Sequence, residues 1–138
     1  MAEIKSFRDF ESFKACRAFV KEIGFSLRKP RFRSNPILSN QMERASISVL
    51  SNFAEGFERD GNAEFIQYLS FSEGSVGELR ALLIYALDQG LIGDESFNEL
   101  DSLGESATRL VGGLIQYLKG SNRRGTKYDS KKPPRVTH

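Results

Sequence analysis

The sequence predicts an all-α protein. It would form an antiparallel up-down-up-down four-helix bundle over residues 1–119, followed by a disordered basic C-terminal tail over residues 120–138. Three observations predict this. Four segments repeat their apolar residues at steps of three and four, the spacing of one helix face. The connections between them are mostly short, which favours antiparallel neighbours. No segment alternates with period two, so no sheet is expected. At 138 residues the chain fits one domain and can bury a core without disulfides or metals.

The first segment runs from about Ser6 to Leu27, with Phe10, Phe13, Cys16, Val20, Ile23 and Leu27 in one stripe. Lys29-Pro30 ends it, because the residue before proline avoids the α region. Arg28 to Pro36 then reads as a loop. The second segment runs from Pro36 to about Arg59, with Asn35 as N-cap and Pro36 at the first helical position. Leu38, Met42, Ala45, Val49, Phe53 and Phe57 share one face, which Ile47, Leu50 and Ala54 widen. Asp60-Gly61-Asn62 is a turn. The third segment, Asn62 to about Gln89, has a stripe from Phe65 to Leu87 and two internal glycines, Gly74 and Gly77. Those glycines either allow close helix approach or loosen the helix locally. Gly90 ends it, and Asp94 caps a fourth helix from Glu95 to Lys119, where Gly120 stops it.

Composition excludes several kinds of chemistry. The one cysteine, Cys16, leaves no intrachain disulfide, which suits a reducing, cytoplasmic compartment or indifference to redox. The longest apolar run, Ala81 to Leu87, is too short to cross a bilayer, and the N-terminus lacks the apolar core of a signal peptide. The only histidine is His138. Cys/His nucleophilic pairs, zinc sets and di-iron Glu-x-x-His motifs therefore have no donors. No metal or cofactor is expected, and no enzymatic activity. Glu55, Glu58 and Asp60 bunch near the end of the second helix, a pattern more common on a solvated face than in an acid–base or cation site.

The charge is asymmetric. Residues 119–138 carry seven Lys/Arg and one acid, for +6, and the other 118 residues sum to −4. Two basic clusters are the candidate nucleic-acid contacts: Arg28, Lys29, Arg31 and Arg33, interleaved with Phe25 and Phe32; and Arg123, Arg124, Lys127, Lys131, Lys132 and Arg135, with Tyr128 among them. Cations neutralise phosphates while aromatics stack bases, with strong salt dependence; a solubilising tail is the plain alternative. A third group, Gln41, Arg44, Ser48, Asn52 and Glu55, forms a polar arc on a very apolar helix. It is either a solvent face with i,i+4 pairs or a polar seam at an oligomer interface.

Helix two reads Gln41-Met42-Glu43-Arg44-Ala45-Ser46-Ile47-Ser48, then Asn52-Phe53-Ala54-Glu55-Gly56-Phe57. Helix three reads Glu64-Phe65-Ile66-Gln67-Tyr68-Leu69, then Glu73-Gly74-Ser75-Val76-Gly77-Glu78-Leu79. Over about residues 7–119 this resembles the four-helix-bundle family of open reading frames in intervening sequences of bacterial 23S ribosomal RNA genes. It departs at Ser46-Ile47-Ser48, where the Ser-Ile pair sits one residue early, and at Ser72-Glu73. The basic tail lies outside the resemblance. The resemblance implies a ring-shaped homopentamer, similar to accessory variability determinant proteins of diversity-generating retroelements, which bind nucleic acid and a reverse transcriptase. Two functions follow as expectations. One is a nucleic-acid-binding accessory protein with RNA as ligand, acting as a homo-oligomer, with a reverse transcriptase as a further partner. The other is a structural interaction module that recruits an acidic protein partner. Neither involves a membrane.

Overall fold

A computed structural model describes residues 3–123. A short 3-10 turn at Phe7–Asp9 leads into five helices: α1 (Glu11–Leu27), α2 (Pro30–Arg33), α3 (Pro36–Glu58), α4 (Asn62–Asp88) and α5 (Asp94–Arg123). The four long helices pack in a ring in the order α1, α3, α4, α5, so that α1 lies diagonal to α4. Each neighbour runs antiparallel to the next, as the short connections require. Among the described residues there is no strand.

The helix boundaries have local causes. Ser6 caps the 3-10 turn in a capping box, with Asp9 reaching back to the Ser6 backbone. The Asn35 side chain accepts from the Leu38 N–H at 3.1 Å, with Pro36 at the first helical position. Gly90, at φ +75°, ends α4, and the Leu91 N–H donates back to Ala86 O at 2.9 Å, the Schellman closure that favours glycine.

Most buried positions are those that periodicity predicts: Phe13, Cys16 and Ile23 from α1; Met42, Val49 and Phe53 from α3; Leu69, Val76 and Leu83 from α4; Val111, Leu114 and Leu118 from α5. In α1, however, Phe19 is fully buried and Val20, expected in the stripe, only partly. Phe10, Phe13, Phe53, Phe57 and Phe65 meet edge-to-face at one end, with centroids 5.2 to 5.9 Å apart. This geometry suits aromatic quadrupoles, with the Phe10–Phe53 pair tilted at 58°, and it takes up five of the chain's eleven phenylalanines.

Five local expectations are corrected. Asp94 does not cap the last helix but is its first residue, and the Phe97 N–H donates to Gly93 O at 3.0 Å. The stretch from Arg28 to Pro36 is not all loop: Pro30–Arg33 forms a helical turn, and Phe32 is fully buried beneath it. The apolar ring folds the connection onto the bundle end. Gly120 does not stop the last helix, which continues to Arg123, with Leu118 and Ser121 buried. Packing of that last turn outweighs the roughly 1 kcal/mol helix cost of glycine. Ile47 does not extend the core face; it is 61% exposed. Finally, a Cβ at Gly74 or Gly77 would meet nothing within 4 Å, so neither glycine serves close helix approach. Gly56 and Gly104 do. A Cβ at Gly56 would lie 2.5 Å from Tyr68 Cβ, and one at Gly104 would lie 2.9 Å from Arg80 Cγ and 3.0 Å from Phe19 Cζ.

Candidate functional site

The polar arc of α3 faces α4. Gln41 Nε2 donates to Glu78 Oε2 at 2.6 Å, and the hydroxyls of Ser48 and Ser75 share a hydrogen bond of 2.8 Å. Asn52 Nδ2 donates to Ser48 O at 2.9 Å and to Ser48 Oγ at 2.8 Å. Deeper in, the buried Ser72 hydroxyl donates to Val49 O at 2.6 Å. Glu55 pairs within its own helix with Arg59, at 3.0 Å, and Arg59 also donates to Tyr68 O–H at 2.9 Å. Tyr68 and Glu55 hold the Arg59 guanidinium pKa above its ordinary value. Gln41 and Ser48 thus join α3 to α4, and Asn52 holds the Ser48 hydroxyl from within α3. Arg44 is exposed on α3.

The first basic cluster is divided by the fold. Arg31 Nη1 donates to Gly90 O at 2.9 Å, tying α2 to the connection between α4 and α5. The Arg28 guanidinium carbon sits 4.8 Å from the centroid of the Phe25 ring, a cation–π contact. Lys29 and Arg33 are exposed. Phe25 is 47% exposed, whereas Phe32 is at 0%, so of the two aromatics only Phe25 is available to stack on a ligand. From the second cluster, Arg123 is the last residue of α5. Arg124, Lys127, Lys131, Lys132 and Arg135, with Tyr128, lie outside the described residues.

Ring order exposes a charge partition that a body-versus-tail division hides. Residues 3–35 hold nine Lys/Arg against four Asp/Glu, while residues 36–118 hold four against thirteen. The first group is α1, α2 and their flanks; the second is α3, α4 and most of α5. Because α1 is diagonal to α4, the bundle is polarised, cationic along α1 and α2 and anionic across the rest. Counting charge by helix would have found this in the sequence; summed together, +5 and −9 leave only a mild −4.

Beside Phe25, a recess of about 690 Å³ opens between α1 and α5. Phe25, Leu100 and Leu103 line it with Lys21, Lys29 and Glu99. A shallower groove of about 170 Å³ lies between α1 and α3, lined by Val20, Leu27, Ile47 and Leu50. Among the described residues, no group of three or more His, Cys, Asp or Glu side chains is arranged to hold a metal ion. Nor is any helix among them long and apolar enough to cross a membrane.

The class these features define is a small antiparallel four-helix bundle with an internal polar seam and a charge-polarised surface. More particularly, the chain belongs to the 23S rRNA-intervening sequence protein family, whose model matches residues 8–113. The match spans α1 to α4 and most of α5 and stops short of the basic tail. No curated protein matches the sequence.

Proposed function

We propose that the protein is a non-enzymatic, cytoplasmic nucleic-acid-binding accessory protein, with RNA as ligand, that acts as a homo-oligomer. The observation that carries this reading is the segregation of cations onto α1, α2 and their flanks, away from the acidic α3–α5 body, with a further +6 in the sequence over residues 119–138. A polyanion gains from a continuous cationic side and is repelled by the other, so segregation orients it as well as attracting it. Assembly multiplies the effect. If the chain forms the homopentamer its resemblance implies, five tails of +6 bring 5 × 6 = +30 to one particle, and weak contacts act together. A reverse transcriptase would be a protein partner of such a particle.

The test is RNA binding across a salt series by the full chain and by a variant with Arg124, Lys127, Lys131, Lys132 and Arg135 changed to serine. Affinity that falls steeply with salt, with a shallower slope in the variant, supports the reading. Binding indifferent to salt, or absent at low salt, overturns it.

A second reading, a protein-interaction module, is favoured by a different observation. Ile37 is 84% exposed, Ile47 61%, Ile84 51% and Phe71 49%. Large apolar side chains exposed in this number on two helices suit protein contacts. Those contacts would be with further copies of the chain or with an acidic protein that the tail recruits. Co-purification from the native host, with and without nuclease treatment, separates the two readings.

A further inference from the structure

The outer face of α1 carries more than positive charge. Lys14, Arg17, Lys21 and Arg28 are all exposed, and at 3.6 residues per turn they fall with Phe25 inside an arc of about 80°. From Lys14 to Arg28 that arc runs about 21 Å at the helical rise. It is a stripe of four cations with one aromatic ring set into it, Lys14 at its start also pairing with Glu11 at 3.1 Å. Cations with an aromatic are the combination that tracks a phosphate backbone and stacks a base. The Arg28 guanidinium, 4.8 Å from the ring centroid, turns the ring into a composite cation–aromatic platform.

The recess beside that ring has the chemistry of a base rather than of a phosphate. Its volume of about 690 Å³ lies in the ordinary range for small-ligand sites. Phe25 offers a flat apolar face and Leu100 and Leu103 further apolar contact, and the Glu22 and Glu99 carboxylates are hydrogen-bond acceptors there. A carboxylate repels phosphate but accepts from the exocyclic amino group of a base such as cytosine. Ser96 and Ser102 add hydroxyls to the lining, suited to a ribose 2′-OH that both donates and accepts. Lys21 and Lys29 border the same recess and are placed for the phosphates on either side.

We propose that this recess seats one unpaired base of single-stranded RNA against Phe25, while Lys14, Arg17 and Lys21 of α1 and Arg28 at its C-cap follow the adjoining phosphates. The proposal rests on the nucleic-acid reading above and assigns it a site on the folded bundle, separate from the tail. It requires a single strand, because a duplex keeps its bases stacked and out of reach.

The test measures binding of the full chain to a short unstructured RNA by fluorescence anisotropy. The variants are Lys21→Glu, Phe25→Ala and Glu99→Gln, with Arg109→Glu as a charge-matched control on α5 outside the recess. All four side chains are exposed, and thermal unfolding checks each fold. Phe25→Ala and Lys21→Glu are expected to weaken binding about tenfold, the scale of one lost base stack, with Arg109→Glu close to wild type. Glu99→Gln is expected to reduce the preference for oligocytidine over oligouridine, and a matched DNA strand or RNA duplex to bind more weakly. If wild type binds but Lys21→Glu and Phe25→Ala behave like Arg109→Glu, the recess proposal is overturned, and binding belongs to the tail. Equal binding of the duplex overturns it as well. If wild type binds no RNA even at low salt, the broader reading falls with it.

Discussion

Burial pushes the Cys16 thiol up to about 12 from an ordinary 9.0, against a smaller lowering by the Ser72 hydroxyl. The thiol therefore stays neutral and enclosed, and alkylation by iodoacetamide at pH 8 should follow the unfolding of the chain rather than a native-state rate. The sign of the pH effect follows. A group whose pKa rises on folding stabilises the fold below its unfolded value and loses that contribution as pH climbs towards the folded value. Stability should therefore decline from about pH 9 towards 12, with a smaller decline in a Cys16→Ala variant, as denaturant titrations at several pH values would show. Glycines supply a paired contrast. Gly56→Ala drives a methyl to 2.5 Å from Tyr68 Cβ and 3.1 Å from Phe65 Cδ1, and should cost about 1–3 kcal/mol through overpacking. Gly74→Ala meets nothing within 4 Å and should gain about 1 kcal/mol from helix propensity. Chemical denaturation of both variants, with opposite signs expected, checks the two assignments together.

At the scale of the helix pair, α3 and α4 are joined by hydrogen bonds as well as by apolar packing. Ser48→Ala removes the 2.8 Å bond to Ser75 and one of the two acceptors of Asn52 Nδ2. A loss of about 1 kcal/mol is expected, since both partners are only part-buried and retain some access to water. Between α4 and α5, Arg80 grips Asp101 through two bonds of 2.9 and 3.3 Å. That grip raises the guanidinium pKa. Side-chain exposures of 31% and 33% limit the pair to about 1 kcal/mol, so Asp101→Asn should lower the unfolding midpoint slightly, and less at high salt. The Arg80 stem crosses α5 at Gly104, where a Cβ would sit 2.9 Å away. Gly104→Ala should therefore do more damage than loss of the ion pair itself. Periodicity placed these helices, but it cannot say which polar residues meet: Gln41 and Glu78 are 37 positions apart, and their 2.6 Å contact depends on the pairing of helices.

Across the molecule, the charge partition makes salt dependence the decisive measurement. On single strands the logarithm of affinity falls with the logarithm of salt by about 0.7 per phosphate neutralised. If the α1 stripe contributes as proposed, the variant with its tail cations replaced by serine should keep a slope of about 2 to 3 from its four cations. Loss of binding in that variant would place all of it in the tail. Any truncation designed to test the tail should also end no earlier than Arg123, because Leu118 and Ser121 are buried in the last turns of α5.

Residue spacing alone was enough for the all-α class, the four amphipathic stripes, the Asn35 cap and the Gly90 stop, because each depends on groups within a turn or two of one another. It was also enough to single out the basic residues from Arg28 to Arg33. It could not separate Phe25, open to solvent beside Arg28, from Phe32, wholly buried. Phe32 lies between Arg31 and Arg33 and Phe25 three residues before Arg28, and only the fold of α2 onto the bundle end distinguishes them. Nor could it find the recess between α1 and α5, whose walls come from residues some 70 to 80 positions apart. Burial, helix pairing and the sidedness of charge are properties of where helices sit relative to one another. That placement comes from side-chain packing across the core, which no stretch of sequence contains by itself.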